Sequence, residues 1–479
     1  MAILHFGASI TPTKLELLTG WIGSQRWYAG KGSTPQPRRL FSWRLDDPEG
    51  EVGIESIILA DDSSSPPVVY QVPLTYRSAP LAGAAAALVG VVEHSVLGTR
   101  YVYDAPHDPV FAERLFALAT GQAQAASSSA NDTVEETVTG TGTPNGLRLT
   151  SSRVLTGEQS NTSIISIAVD EAGAEHPVIT KVFRALADGD NPDVILQGAL
   201  ASAGCTCVPA SLGAVAGSWP GADGDSTAHG HLALVQEFLP GAQDAWREAL
   251  VAAGRGEDFT EQARTLGAAT AQVHAILRDT LPAEAAEAAD EGRIAETIEE
   301  MRTRFRSALA EVPDLQAHAV GIDGLYAAAA AASWPDFQRI HGDYHLGQVL
   351  DVPERGWVLL DFEGEPLRPL AERNRTDQPL RDIAGMLRSF DYAGGSVEQQ
   401  NRGESARDWV TATQEAFLAG YTEESGHDPR DAGPLLSAYI VDKALYEVVY
   451  EARNRPDWLT IPLAAIDRLL PTALPTKEN

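Results

Sequence analysis

The chain has 479 residues, 44% of them apolar, with a formal charge of −30 from 66 acidic against 36 basic side chains. That length exceeds what one hydrophobic core usually serves, so two or three packed units are expected. So negative a field repels nucleic acid phosphates and anionic membrane surfaces, which excludes both as partners, whereas a nucleotide stays compatible if Mg²⁺ and local cations offset the field.

The N-terminus lacks a basic region followed by an apolar run, and no stretch of 18 uncharged apolar residues occurs, so a cytoplasmic protein is expected. The cluster Gln25-Arg26-Trp27-Tyr28 reads as structural. Gly30-Lys31 lacks the preceding glycine of a Walker A loop. Segments 53–59, 68–76 and 88–93 read as strands, making the first part a small α/β or mostly β unit. Residues 121–146, rich in Ser, Thr, Gly and Ala, read as a mobile loop or linker.

Further strands are expected over 147–155, 162–169 and 177–183, the first two joined by the polar turn Thr156–Asn161. Lys181 stands alone in the apolar run Val178–Phe183, where an unpaired ammonium is costly to bury, and a nucleotide phosphate accounts for it. Cys205 and Cys207, with no second cluster to complete a zinc site, read as buried reduced thiols. Residues 217–230 read as a surface loop and 231–238 as a strand ending at Leu239-Pro240-Gly241. From Asp244 onward the pattern turns helical, notably over 261–278 and 283–310.

The chemistry concentrates in His341-Gly342-Asp343-Tyr344-His345-Leu346-Gly347-Gln348 and, after the apolar strand Trp357–Leu360, in Asp361-Phe362-Glu363-Gly364-Glu365. Phosphoryl transfer needs a base to orient a hydroxyl and oxygen ligands for Mg²⁺, and Asp343, Gln348 and Asp361 supply such groups. H-G-D-x-H followed by D-F-E resembles the catalytic and metal loops of the aminoglycoside-phosphotransferase-like, or protein-kinase-like, superfamily. The resemblance implies that Asp343 is the catalytic base and that Gln348, Asp361 and Glu363 are metal ligands, with Gln348 where Asn is usual. It implies that His341 holds the loop. It also implies that Lys181 pairs the phosphates of ATP, that Ser160 and Asn161 lie under them, and that Gln236, Glu237 and Phe238 form a connector facing the adenine. The glutamate that usually pairs with the strand lysine has no counterpart in Asn191–Gln197, where Asp193 is the available acid.

A narrower resemblance, to the actinobacterial-type maltokinases, is carried by Gln25–Gly30, by Asp361–Leu370 with Ala371–Arg373, by Pro379–Tyr392 and by Asp442–Arg453. It implies an α+β, bilobal protein-kinase-like fold with an antiparallel-sheet N-lobe and a mainly helical C-lobe. An additional N-terminal α/β cap covers residues 1–110, the N-lobe 111–240 with a flexible loop near 121–146, and the C-lobe 241–479. The activity it implies is transfer of the ATP γ-phosphate to the anomeric hydroxyl of maltose, giving maltose 1-phosphate for α-glucan synthesis. The pathway would also permit a complex with a trehalose-isomerising enzyme.

Tyr446, Tyr450 and Arg453 fall at i, i+4 and i+7, which suits stacking on a sugar face, with Glu447 and Glu451 as a neighbouring acidic stripe. His345, Arg388, Tyr446, Tyr450, Glu451 and Arg453 are the candidate sugar contacts, and Arg381 and Asp382 belong either to that pocket or to structural salt bridges. A kinase for glucosamine or for an aminoglycoside, and a nucleotide-binding pseudokinase, are the rival readings.

Overall fold

A computed structural model describes residues 5, 7–131, 133–155, 160–285, 291–365, 368–400 and 405–470. The chain divides into two compact units, residues 1–194 with 209–240, and residues 195–208 with 241–479.

The first unit opens with β1 (Ile10–Thr11) and α1 (Lys14–Trp21), followed by β2 (Pro37–Leu45), β3 (Gly53–Asp61), β4 (Val68–Arg77), β5 (Leu88–His94), β6 (Gly98–Asp104) and α2 (Pro109–Ala119). Next come β7 (Ala126–Ser127), β8 (Val138–Gly140), β9 (Arg148–Val154), β10 (Asn161–Val169), β11 (Glu175–Phe183) and β12 (Ala185–Leu186). The helix α3 (Pro192–Ser202) then starts, and β13 (Ser211–Pro220) and β14 (Thr227–Glu237) complete the unit. One sheet runs β1-β5-β6-β4-β3-β2-β7 with β12 beside β4, and the other runs β8-β13-β14-β11-β10-β9. In β3 every residue from Ile54 to Asp61 is buried, as expected of an interior strand covered on both faces. Helix α2 begins where Pro109 follows Asp108, whose side chain accepts the Val110 N–H at 3.0 Å and a two-pronged ion pair from Arg77.

The cluster at Gln25–Tyr28 is structural. Tyr28 donates to Asp61 at 2.6 Å, and Trp27 lies 5.1 Å from the guanidinium of Arg184. Arg184 is fully buried and pays for that with bonds to Asp104 at 2.7 and 2.8 Å and to Thr162 at 2.9 Å. The described part of 121–146 is mostly irregular, as expected of a loop, with the short strands β7 and β8 pairing with β2 and β13. The loop expected over 217–230 is corrected: it is mostly the hairpin of β13 and β14, register-paired from Gly217↔Gly230 to Pro220↔Thr227. Small and polar residues there serve as strand residues because their neighbours, Trp219 and Leu232 among them, supply the apolar face.

The second unit contains β15 (Gln243–Asp244), α4 (Ala245–Arg255), α5 (Thr260–Thr280), α6 (Glu291–Glu311) and α7 (Ala319–Ala330). After these come the hairpin β16 (Val349–Val352) and β17 (Gly356–Leu359), then α8 (Leu370–Arg373), α9 (Pro379–Gln400), α10 (Arg407–Ser425), α11 (Pro434–Asn454) and α12 (Thr460–Leu469). Its core joins Leu266, Phe337, Phe362, Phe390, Phe417 and Leu445. The helix expected over 283–310 is α6, and positions 286–290 of that expectation lie outside the described residues. Cys207 is buried, but Cys205, expected to be so, is only half-buried. Among the described residues no helix is long and apolar enough to cross a membrane. The architecture is α+β: strand-built in the first unit, mainly helical in the second, with a cap that is mostly strand.

Candidate active site

Asp343 and Asp361 stand 18 positions apart in the chain, on either side of the β16–β17 hairpin. Antiparallel pairing of Val349 with Leu359 returns the chain on itself, and Leu360 N–H donates to Gln348 O at 2.9 Å. The His341 ring, stacked 4.6 Å from Phe362, bonds Leu360 O through Nε2 at 2.8 Å, the loop-holding role expected of it. Gly342 has φ +84°, and a Cβ there would stand 3.3 Å from Gly364 Cα, so the loops of both aspartates touch backbone to backbone.

Asp361 itself has φ +62°, a left-handed conformation that side chains seldom adopt and that surrounding structure must hold. Gln348 Nε2 donates to Asp361 Oδ2 at 3.0 Å, and a carboxylate oxygen of Asp361 lies within 4.8 Å of one from Glu363. Two carboxylates form an oxygen donor pair of the kind Mg²⁺ takes, and the Gln348 amide, turned N–H first, fixes the Asp361 carboxylate. The residues present therefore fit the ion.

Helix α9 supports the base from below. Asp382 accepts the N–H groups of His341 at 2.8 Å and Gly342 at 2.9 Å, and bonds His274 Nε2 at 3.1 Å. Burial alone would raise its pKa; the His274 bond and charge and the Gly342 N–H outweigh burial and bring it below the ordinary carboxylate value. Gly385 admits the Tyr344 carbonyl, which would stand 2.5 Å from a Cβ.

Asp343 lines a small cavity of about 10 Å³, together with Arg304, Glu365, Arg381, Asp442, Lys443 and Tyr446. Lys443 Nζ lies 3.2 Å from Asp343 Oδ1, 3.4 Å from Glu365 Oε1 and 5.0 Å from the centre of the Tyr446 ring. Burial opposes its charge, but Asp343, Glu365 and Glu447 raise its pKa above the usual lysine value. Glu365 goes the other way: burial is outweighed by Lys443, Arg381, Arg304 and Arg368, which hold its carboxyl at about 2. Asp442 binds Arg304 at 2.7 Å and Arg381 at 3.7 Å.

Of the expected sugar contacts, Tyr446 lines this cavity, while His345, Arg388, Tyr450, Glu451 and Arg453 are not among its lining residues. His345 Nδ1 accepts the Gly347 N–H at 3.1 Å, and burial holds its pKa below the ordinary histidine value. Arg388 is buried against Glu447 and Asp391, at 2.6 and 2.5 Å. Glu451 is buried against Tyr392 and Arg455. Tyr450 is exposed beneath Arg455, 5.5 Å away, and Arg453 pairs with Glu311 at 2.5 Å. The acidic stripe Glu447–Glu451 is thus interior and paired, Glu447 by Arg388 from α9 and Glu451 by Arg455 four residues further along the chain. Lys443, Asp442, Arg304 and Glu365 went unassigned in the sequence reading. The i, i+3 spacing of Lys443 and Tyr446 was a usable signal for one of them, whereas Arg304 had none.

In the first unit, Lys181 on β11 pairs with the fully buried carboxylate of Asp193 at 2.7 Å, so the acid one turn into α3 does stand beside the strand lysine. Ser160 is exposed and Asn161 half-buried, and positions 156–159 of the turn lie outside the described residues. Gln236 and Glu237 end β14 and pair with Ile179 and Val178. The N–H groups of Glu237 and Phe238 donate to Ala210 O and Pro177 O, at 2.9 and 3.0 Å, so these two donors are committed to the sheet rather than to an adenine.

Comparison with known proteins agrees with this geometry. The maltokinase N-terminal cap domain matches residues 21–108, and the phosphotransferase enzyme family matches residues 199–432. The chain thus joins a segment like the maltokinase N-terminal cap to a segment like the phosphotransferase enzyme family. It is 32% identical over 265 residues to a glucosamine kinase of Streptacidiphilus jiangxiensis, a match covering 51% of this chain and 58% of that one. It is 28% identical over 333 residues to a glucosamine kinase of Mycolicibacterium smegmatis, covering 66% of this chain and 79% of that one. It spans little more than half the length of the first of these relatives. In fold it resembles a glucosamine kinase solved with glucosamine, ADP and inorganic phosphate, at TM-score 0.66 and 23% identity over 96% of this chain and 100% of that one. A second crystal form of a glucosamine kinase gives TM-score 0.68 at 24% identity, with the same coverage.

Proposed function

We propose that this chain is an ATP-dependent sugar kinase that phosphorylates a neutral sugar, maltose, at its anomeric hydroxyl to give maltose 1-phosphate. In this reading residues 1–110 form the cap, 111–240 the N-lobe and 241–479 the C-lobe. Asp343 accepts a hydrogen bond from the acceptor hydroxyl and takes its proton as the oxygen attacks the γ-phosphorus in line. Lys443 holds the Asp343 carboxylate in one orientation. Lys181, steadied by Asp193, pairs the nucleotide phosphates. Asp361, fixed by Gln348, and Glu363 hold Mg²⁺, which when bound neutralises phosphate charge.

The observation carrying the choice of acceptor is the Lys443 ammonium beside the base, 3.2 Å from Asp343. An amino sugar would bring a second ammonium into a cavity whose other acids are already committed: Glu365 to Lys443 and Arg368, Asp442 to Arg304 and Arg381, Asp382 to backbone N–H groups and His274. Like charges that close repel, whereas sugar hydroxyls both donate to carboxylates and accept from Lys and Arg. The maltokinase-type cap supports the same acceptor.

The names of the relatives favour glucosamine as a second reading. Incubating labelled ATP with maltose, glucose, glucosamine or kanamycin separates the readings. Labelled maltose phosphate is expected; label on glucosamine and not on maltose overturns the acceptor. ATP binding without transfer to any of them favours a nucleotide-binding protein.

A further inference from the structure

Behind the loop of Asp343, side chains from three helices stand in line. His274 on α5 bonds Asp382 on α9 through Nε2 at 3.1 Å and Tyr421 on α10 through Nδ1 at 3.1 Å. All three are buried. Gln338, three residues before His341, donates to the His274 carbonyl at 2.8 Å. One turn back on α5, Thr270 gives its hydroxyl proton to Leu266 O at 2.8 Å, so the Tyr344 hydroxyl, 2.9 Å away, is the donor to Thr270. Helix α5 therefore grips the segment of the base through Gln338 and Tyr344 directly and through Asp382 by way of His274.

Helices α5 and α10 meet backbone to backbone. A Cβ on Gly267 would stand 2.0 Å from Phe417 O, and one on Gly420 would stand 1.9 Å from Arg264 O. Packing this close fixes the offset of the two helices and hence the place of Tyr421 opposite His274.

The hydrogens of the line follow from its ends. Asp382, held below the ordinary carboxylate value, only accepts, so His274 carries a proton on Nε2. Burial and, after it, the Asp382 charge hold the Tyr421 pKa above the ordinary tyrosine value against Arg278, so that hydroxyl keeps its proton. In the neutral imidazole Nδ1 is then the acceptor and the Tyr421 O–H its donor, which selects one tautomer. The other tautomer would set a bare Nε2 lone pair against the Asp382 carboxylate. At the far end Asp382 Oδ2, which takes the His274 bond, also takes the His341 N–H at 2.8 Å, and Oδ1 takes the Gly342 N–H at 2.9 Å. Those two peptides come immediately before Asp343.

We propose that His274 and Tyr421 are positioning residues for phosphoryl transfer: Tyr421 fixes the imidazole tautomer, His274 fixes the Asp382 carboxylate, and Asp382 holds the two peptides that aim Asp343. No proton moves along the line. The effect on turnover rests on Asp343 being the base; the hold on the two peptides does not.

The test compares the full chain with His274→Leu, His274→Gln and Tyr421→Phe, by steady-state kinetics and by amide hydrogen exchange on peptides spanning 341–342. In His274→Leu kcat should fall about ten- to a hundred-fold, as for one hydrogen bond to a charged group. KM for ATP and for the acceptor should stay within about two-fold, and exchange at 341–342 should quicken about ten-fold or more. His274→Gln, whose amide N–H reaches the place of Nε2–H, should recover most of both effects. Tyr421→Phe should lower kcat roughly five-fold, as for one neutral hydrogen bond. A folded His274→Leu with unchanged kcat and unchanged exchange overturns the proposal, and so does His274→Gln no better than His274→Leu. Should His274→Leu fail to fold, parent-like kcat and exchange in Tyr421→Phe overturn it. A parent chain that phosphorylates no sugar defeats the functional reading alone, because the exchange measurement still reports whether His274 and Tyr421 hold the loop.

Discussion

The ammonium of Lys443 lies 3.2 Å from Oδ1 of Asp343, across 100 positions of chain. Helix α11 thereby reaches the base of the catalytic loop, and the same ammonium meets Glu365 from the loop after Asp361. One cation joins three segments distant in the sequence. Its effect is to aim the Asp343 carboxylate while Glu365 keeps the cation itself from being left alone in a buried place.

Lys443→Met is therefore expected to lower kcat by about ten- to a hundred-fold, the worth of one charge-assisted hydrogen bond. Lys443→Arg should recover part of the loss, and KM for ATP should hardly change. Steady-state kinetics with both substrates varied measures this; a kcat within about two-fold of the parent would remove Lys443 from its role.

Replacing Asp343 by Asn keeps the shape and removes the proton acceptor. Turnover should fall about a thousand-fold, with melting temperature held. Near-normal turnover would take the base assignment away from Asp343.

Asp361→Asn preserves a residue that tolerates left-handed backbone, so the φ of +62° should persist. The Mg²⁺ concentration for half-maximal rate is expected to rise roughly ten-fold or more. Circular dichroism matched to the parent, beside an unchanged metal titration, would count against the ion site.

Arg388→Met leaves the buried acids Glu447 and Asp391 without their shared partner. Breaking such a pair costs about 3 kcal/mol, which urea unfolding should register, while KM for the sugar should stay put because Arg388 does not line the cavity at Asp343. A raised sugar KM at unaltered stability would return Arg388 to the acceptor site.

Glu365, held at about 2 by its cations against the cost of burial, contributes a pH dependence of known sign. An ordinary glutamate titrates near about 4.3, so the unfolded chain takes up this proton first. Its contribution is complete above roughly pH 5 and is lost as pH falls toward about 2. Unfolding free energy measured over that window should decline less steeply in Glu365→Gln; an equally steep decline would show that other carboxylates carry it.

Local order made much of this molecule legible. Asp343, Gln348 and Asp361 lie in one short stretch either side of a hairpin, so their spacing alone announces a base and an oxygen-ligand set. Lys181 was conspicuous because an ammonium in an apolar strand demands an anion, and the helical run after Asp244 declared itself by its period. The segment 217–230 differs from the loop expected there because small polar residues form strands when partners elsewhere provide the apolar face, and that depends on pairing rather than composition.

By itself the sequence singled out the acidic residues of the two loops and most of the segments that are strand or helix, since both follow from side chains close in the chain. The tertiary structure alone decided who stands beside them. Lys443 beside Asp343, Asp193 beside Lys181, and Arg388 beside Glu447 are all matters of elements meeting. An ion pair forms wherever folding brings opposite charges within a few ångströms, and nothing in either residue's own neighbourhood along the chain says where that will be.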